Sequence, residues 1–168
     1  MNEIQQTPEV FQEKLNQLET AIKALKNAVN LFPVNMSNEI LFDKWSLKDI
    51  LAHLSGWNLI TIRDLTKLMK GEEIAQWFPE TAIDDFNEQE VVKRQGENWV
   101  VVYGEFYQTL DELLATYRSL NDDQWEQQLG PNESTPLDCI IEDLKHFGGE
   151  HLEDIRSATL NINSKYNQ

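Results

Sequence analysis

The pattern of hydrophobic and polar positions along the chain predicts four amphipathic helices. In each of four segments, large apolar side chains recur at spacings of three and four residues, which places them on one face of an α-helix. The run 99–103 has strand-like composition, but the helical spacing continues beyond it as far as Leu120, so we predict a helix there as well. The predicted helices span about 7–32, 46–70, 84–120 and 135–160.

Helix boundaries in the sequence carry recognisable signals. Ser46 followed by Asp49 matches a capping box, and Gly71 suits the C-terminal cap of the same helix. Thr135-Pro136 is typical of a helix start, and Gly96 marks a place where the third segment bends or is interrupted. Four such helices and no convincing strand favour an all-α four-helix bundle, which we expect to form one domain over residues 1–168.

The charge of the chain restricts its partners. Its 14 Lys and Arg residues against 29 Asp and Glu residues give a formal net charge of −15, which repels a phosphate backbone. We therefore expect no nucleic-acid partner. The N-terminal residues lack a basic and apolar leader, and no segment is apolar enough to span a bilayer, so we expect a cytoplasmic protein without a membrane partner.

The single cysteine excludes an internal disulfide and a thiolate-rich zinc site. Cys139 lies in the first turn of the fourth predicted helix, where the helix dipole would lower the pKa of its thiol. We interpret it as a structural thiol rather than a nucleophile.

The three histidines are the strongest candidates for chemistry. His53 lies on the apolar face of the second helix, and His146 and His151 lie on the fourth. Residues five apart on a regular α-helix project about 140° from each other, so His146 joins the other two only if the helix contains an i→i+5 bulge, for which Gly148-Gly149 is a suitable place. The alternatives are a three-histidine metal site, a metal-free polar pocket that uses His53 and His151, and histidines that are merely satisfied in the core or on the surface.

Aromatic and acidic residues extend this candidate site. Trp57 and Trp99 would form the walls of a pocket, and Asp154, three residues after His151, would orient its imidazole. The long connection 71–86 contains Trp77 and Phe78, which either pin the loop onto the bundle or form a lid over a substrate pocket.

Three blocks of the chain resemble the ClbS/DfsB branch of the DinB/YfiT-like four-helix bundles. They are WSLKDILAHLSGW at 45–57, Phe86-Asn87, and HFGGEH at 146–151. The resemblance implies a DinB-like up-up-down-down bundle, often dimeric, with its site in a cavity at one end of the helices. In metal-dependent members, one histidine of the second helix and a His-x-x-x-His pair of the fourth bind a divalent metal. Those roles fall on His53 and His151, whereas the remaining position matches Phe147 and His146 is displaced by one residue.

The resemblance also implies a function, because the branch contains a self-protection protein that hydrolyses a reactive cyclopropane. We therefore expect a small-molecule hydrolase or detoxifying enzyme that acts on an electrophile, with His53 and His151 as catalytic residues. The expected substrate-binding residues are Trp57, Trp99 and Trp77. The metal ligands would be His53, His146 and His151, holding Zn, Ni or Fe, with a metal-free site as the alternative. The other functions considered are a metal-dependent thiol transferase and a non-catalytic small-molecule binding protein, and a homodimer is expected in each case.

Overall fold

The computed structural model describes residues 8–75, 82–132 and 134–166, and it confirms the all-α fold. The helices are α1 (Pro8–Leu31), α2 (Leu47–Lys70), α3 (Ile83–Arg94), α4 (Trp99–Arg118), α5 (Pro136–Lys145) and α6 (His151–Tyr166), with a π-helical segment (His146–Glu150) joining α5 to α6. Short 3₁₀ turns lie at Val34–Met36, Asp122–Gln124 and Gly130–Asn132. No helix in the described ranges is both long enough and apolar enough to cross a membrane.

Helix α2 begins and ends as its sequence predicts. The Ser46 hydroxyl accepts a hydrogen bond from the amide of Asp49, and the Asp49 carboxylate accepts one from the amide of Ser46 at 2.9 Å. At the other end Gly71 adopts φ = 67°, the left-handed conformation that glycine reaches without strain. Both ends of the helix that carries His53 are therefore fixed by local hydrogen bonds.

The third predicted segment is two helices rather than one. α3 ends at Arg94, and α4 starts afresh at Trp99, where the Asn98 side chain accepts a hydrogen bond from the amide of Val101 at 3.1 Å. The Lys48 ammonium group of α2 donates to the carbonyl oxygens of Gln95 and Glu97, which holds the intervening turn against α2. The expectation of one helix over 84–120 is wrong because this capped turn interrupts it.

The bundle consists of α1, α2, α4 and the continuous α5–α6 rod. Helix α2 packs against α4 and α3, and α1 packs against α4, α5, the π-helical segment and α6. Fully buried side chains from all four members meet in one core; they include Leu18, Leu25, Leu51, Leu54, Phe106, Leu110, Tyr117 and Phe147. The histidines of α2 and of the α5–α6 rod belong to this shared interior.

A short hairpin, which the sequence pattern leaves unassigned, precedes α2. Strand β1 (Ile40–Phe42) pairs antiparallel with β2 (Trp45–Ser46), and Asp43 in the turn between them has φ = 55°. The hairpin delivers Trp45 to the first turns of α2, where its ring centroid lies 5.0 Å from that of His53.

Candidate functional site

The three histidines converge in the bundle interior. The ring centroid of His53 lies 5.6 Å from that of His146 and 5.4 Å from that of His151, and the rings of His146 and His151 are 5.2 Å apart. One ring nitrogen from each histidine can be chosen so that all three atoms lie within 4.8 Å of one another. The arrangement gathers three imidazoles from two helices that are distant in sequence.

The π-helical segment is what brings His146 and His151 onto the same side of the rod. The backbone amide of His151 donates to the carbonyl oxygen of His146, which closes the i→i+5 turn. Gly148 lies in this turn against α1, where a β-carbon added to it would be 3.6 Å from Cβ of Ala21. The wider turn removes the angular offset that five residues have on a regular α-helix, so the condition that the sequence imposes on a three-histidine site is met.

Several nitrogens of the cluster are buried without a hydrogen-bond partner in the described part of the chain. They are Nδ1 of His53 and both Nδ1 and Nε2 of His151. The prediction that Asp154 orients His151 is therefore wrong, because neither ring nitrogen accepts or donates a bond there. A buried polar atom without a partner costs about 1–3 kcal/mol. A metal ion held by one nitrogen of each ring would give one of the two His151 nitrogens its missing bond. Neutral imidazoles are the ligands that zinc, nickel and iron share, so the residues present fit such an ion.

Burial keeps the cluster uncharged. Desolvation lowers the pKa of His53 to about 3, and repulsion from His151 and His146 adds to it, while a hydrogen bond with the Asn87 side chain opposes it. Desolvation likewise lowers the pKa of His151 to about 4 and also lowers the pKa of His146. At neutral pH all three rings are neutral, which is the protonation state that a metal ligand requires.

A cavity of about 300 Å³ opens beside His53 and His146. Its wall is mostly apolar, and the indole Nε1 of Trp57 donates to Oδ1 of Asn87 at 2.8 Å within that wall. The volume is at the lower end of the range for small-molecule sites. The lining residues are His53, Leu54, Trp57, Thr61, Ile83, Asn87, Ser134, Asp138, Cys139, Glu142, Asp143, His146 and Phe147.

Asp138, Glu142 and Asp143 form an acidic wall of this cavity. The hydroxyl of the buried Tyr117 donates to Oδ2 of Asp143 at 2.7 Å, and desolvation nevertheless raises the pKa of the Asp143 carboxyl to about 7. Burial, reinforced by the neighbouring carboxylates, raises the pKa of the Cys139 thiol to about 12. The helix dipole expected to lower that pKa is therefore outweighed, and the interpretation of Cys139 as a structural thiol fits its surroundings.

A second cavity, of about 460 Å³, adjoins the cluster at His151. It is bounded by the β1–β2 hairpin and α6, and His151, Asp154, Ser157 and Asn161 are among its lining residues. Trp45 and Ile50 also line it. The histidine cluster is thus reached from one cavity at His53 and His146 and from another at His151.

The aromatic residues expected to form a pocket do not all line a cavity. Trp57 lines the first cavity, whereas Trp99 lies at the start of α4 with its ring 5.5 Å from Tyr103 and lines neither cavity. Trp77 and Phe78 lie outside the described residues. The carboxylate of Glu105 on α4 is paired with Arg94, at 2.6 Å from Nε, and lines neither cavity.

Three contributors were not assigned a role from the sequence. Asn87 and Asp143 line the first cavity, and Trp45 packs against His53. Asn87 belongs to the Phe86-Asn87 block that carries the family resemblance, so the sequence singled out the residue but did not indicate its role. No motif links Asp143 to His146, but Asp143 lies three residues before His146 and thus on the same helical face.

Comparisons with known proteins show the fold. No protein-family model and no curated protein sequence matches the chain. A crystal structure of an uncharacterised protein from Escherichia coli UTI89 is similar to it with a TM-score of 0.79 and 14% identity, covering 91% of this chain and 94% of that one. The colibactin self-resistance protein ClbS, in a crystal structure with double-stranded DNA, is similar with a TM-score of 0.69 and 12% identity, covering 94% and 96% of the two chains. The ClbS-like fold implied by the resemblance is confirmed.

The same comparison corrects the expectation about nucleic acid. The argument that an acidic chain has no nucleic-acid partner is wrong for this fold, because ClbS has been crystallised in complex with double-stranded DNA. A net charge is a sum over the whole surface, whereas contacts with a phosphate backbone depend on the few side chains at the interface. The value of −15 therefore does not exclude such a partner.

Proposed function

We propose that this protein is a metal-dependent detoxifying enzyme that hydrolyses a small reactive electrophile in the cavity beside His53. The observation that carries the proposal is the convergence of three neutral imidazoles at the edge of a mostly apolar cavity, with buried ring nitrogens that lack partners among the described residues. The likeness to ClbS, which is described as a colibactin self-resistance protein, supports the class of function.

The acidity of the histidines favours a metal over a free imidazole base. A general base works best when its pKa is near the operating pH, and pKa values of about 3 for His53 and about 4 for His151 lie far below neutrality. The same low values suit metal ligands, because no proton competes for the nitrogens. His53, His146 and His151 would hold the ion, which would act as a Lewis acid and make water nucleophilic at neutral pH.

The remaining cavity residues position and shield the substrate. Leu54, Trp57 and Phe147 offer apolar surface that displaces water from around the electrophile. Asn87 accepts from Trp57 and interacts with His53, so it ties the aromatic wall to the cluster. In the hydrolysis, a water oxygen bonds to the electrophilic carbon as the bond to the leaving group breaks, and the leaving group departs with that electron pair and a proton of the water.

A thiol transferase is the second candidate, and the cavity at His151 favours it. A transferase needs space for a thiol co-substrate as well as for the electrophile, and two cavities with different lining residues adjoin the cluster. In that reaction the thiol sulfur bonds to the electrophilic carbon and the leaving group departs with the electron pair and the thiol proton. The homodimer and the cytoplasmic location stay predictions.

The metal is tested by elemental analysis of protein purified without a polyhistidine tag and offered Zn, Ni or Fe. We expect one ion per chain in the parent protein, and loss of binding in His53→Ala and His151→Ala. Glu150→Gln is the matched control, because Glu150 is an exposed residue next to His151 and lies outside the cluster. Substoichiometric metal in the parent, or equal binding by the histidine variants, would remove the metal from the proposal.

The reaction is tested with a panel of epoxides and activated cyclopropanes in ¹⁸O-water, with and without glutathione. Incorporation of ¹⁸O into the product identifies hydrolysis, and a thioether identifies transfer. Binding without turnover of any compound by the metal-loaded protein would leave the non-catalytic alternative and refute both enzymatic ones.

A further inference from the structure

We propose that the ligand of the cavity beside His53 carries a cationic ammonium group, which is bound by Asp143 on the acidic wall. The inference rests on the proposed function for the identity of the site and adds the charge of the substrate. The inference is argued from the residues of the acidic wall, from the hydrogen bonds and ion pairs of each carboxylate, and from the aromatic surface in the same cavity.

The cavity wall is negative and carries no opposing charge. Asp138, Glu142 and Asp143 all line it, and none of its described lining residues is a lysine or an arginine. With His53 and His146 neutral, none of the described lining residues carries a positive charge. Burial raises the pKa of Asp143 to about 7, and a cation bound beside it would favour its ionised form. An anionic ligand would be repelled from this space, whereas an ammonium group would be attracted to it.

The three carboxylates differ in what they already bind. Asp138 is exposed and accepts the capping bonds of Thr135, and Glu142 is exposed and paired with Lys145 at 2.5 Å. Asp143 is less exposed than either, and it accepts one hydrogen bond, from Tyr117. Within the described ranges Asp143 makes no ion pair, so it is the carboxylate with room for a cation.

The negative field converges near Asp143. The thiol of Cys139 on the same wall is surrounded by the carboxylates of Asp143, Asp138, Asp64 and Glu142, each of which disfavours its ionisation. Asp64 is 1% exposed, and although its Oδ1 accepts from Arg63, its Oδ2 has no partner among the described residues. Lys145 and Arg63 pair with Glu142 and Asp64, so an ammonium group at this wall would supply the cation that Asp143 lacks among the described residues.

The rest of the cavity is built for the body of such a ligand. His53 is 3% exposed and lines the cavity, and its Nδ1 has no partner in the described part of the chain, so the space has a polar end as well as an apolar wall. Trp57 supplies aromatic surface, which attracts ammonium groups as well as apolar ones. A ligand that combines an apolar body with one amine would match the mostly apolar lining and the acidic wall together.

The test uses three probes of nearly the same shape and different charge: 2-phenylethylamine, 2-phenylethanol and phenylacetate. Binding is followed by NMR titration of metal-free protein, so that an amine cannot bind through a metal. We expect the amine to bind roughly tenfold or more tightly than the alcohol, and phenylacetate to bind weakest, because a charge-assisted hydrogen bond to a carboxylate is stronger than a neutral one. Tryptamine and tryptophol repeat the comparison for a larger apolar body.

Variants assign the preference to Asp143. Asp143→Asn keeps the size of the side chain and an acceptor for Tyr117, and it should abolish the preference for amine over alcohol. Glu150→Gln removes an equal charge outside the cavity and should leave the preference unchanged. Equal binding of amine and alcohol, no binding of either pair, or a preference that survives Asp143→Asn would overturn the proposal.

The two proposals fail separately. Amine binding is measured without metal and without turnover, so a protein that binds no metal can still show the predicted preference. A protein that binds metal through the three histidines but does not discriminate amine from alcohol would retain the proposed function and lose only the cationic substrate.

Discussion

Replacing His53 with Gln should change how the stability of the metal-free protein depends on pH. In the native state burial lowers the pKa of His53 to about 3, whereas in the unfolded chain the pKa has its ordinary value of 6.5. Between these two values the unfolded state takes up a proton that the native state does not. His53 therefore lowers the free energy of unfolding as the pH falls below 6.5, and the Gln variant lacks this loss.

The size of the effect follows from the shift. Each pKa unit is worth about 1.4 kcal/mol. A pH of 5 lies about 1.5 units below the pKa of the unfolded imidazole, whereas native His53 is still neutral at that pH. Relative to His53→Gln, the parent should lose about 2 kcal/mol of unfolding free energy between about pH 7.5 and pH 5. The measurement is urea unfolding followed by circular dichroism, in the presence of a chelator.

The effect must be measured as the difference in unfolding free energy between parent and variant, because Asp143 contributes a pH dependence of the opposite sign. Its native pKa is raised to about 7 from 3.8, so its contribution to stability grows as the pH falls through 7. Asp143→Asn is thus a control of opposite sign: relative to it, the parent should gain stability on going to pH 5. A parent–His53→Gln difference that stays constant within about 0.5 kcal/mol over this range would refute the neutral, buried state of His53.

Two further predictions concern residues around the site. A β-carbon at Gly56 would lie 2.4 Å from Cγ of Glu90, which is buried and paired with Arg94, so we expect Gly56→Ala to destabilise the protein by about 1–3 kcal/mol in urea unfolding. Gly104→Ala, in a helix with open space around the new carbon, should instead stabilise it by about 0.5–1 kcal/mol, and equal effects of the two would contradict the close packing at Gly56. Cys139, whose pKa is raised to about 12, should react with iodoacetamide at least 100-fold more slowly in the folded protein than after denaturation, and rapid labelling of the folded state would show that its thiol is not held protonated.

Much of the fold follows from local signals in the sequence. The periodicity of apolar residues and the caps at Ser46 and Thr135 mark helices whose ends agree with the structure to within about two residues, apart from the α3–α4 break and the end of α6. Gly96 marked the place of the break between α3 and α4, but the sequence did not decide between a bend and a full interruption. The Asn98 cap and the contacts of Lys48 with the turn settle it, and periodicity does not report such details. The β1–β2 hairpin was missed because its strands are too short for an alternating pattern.

The candidate site was predictable in its residues and less so in its geometry. Five-residue spacing and Gly148-Gly149 indicated what the helix would have to do for His146 to join His53 and His151, but either backbone conformation was compatible with the sequence. The acidic wall depends on how Asp143 and Tyr117, distant in sequence, meet across the bundle. Trp99 was expected in a pocket because it is aromatic and begins the apolar stripe of α4. That stripe faces the core and not the cavity.

The most direct test of the account is an anomalous-difference map from crystals of tag-free protein grown with zinc and measured on both sides of the zinc absorption edge. We predict one strong peak, enclosed by the ring nitrogens of His53, His146 and His151 at about 2.0–2.1 Å from each. A map without a peak among these three residues, or with zinc held by surface carboxylates instead, would contradict the central claim that the π-helical turn assembles a metal centre.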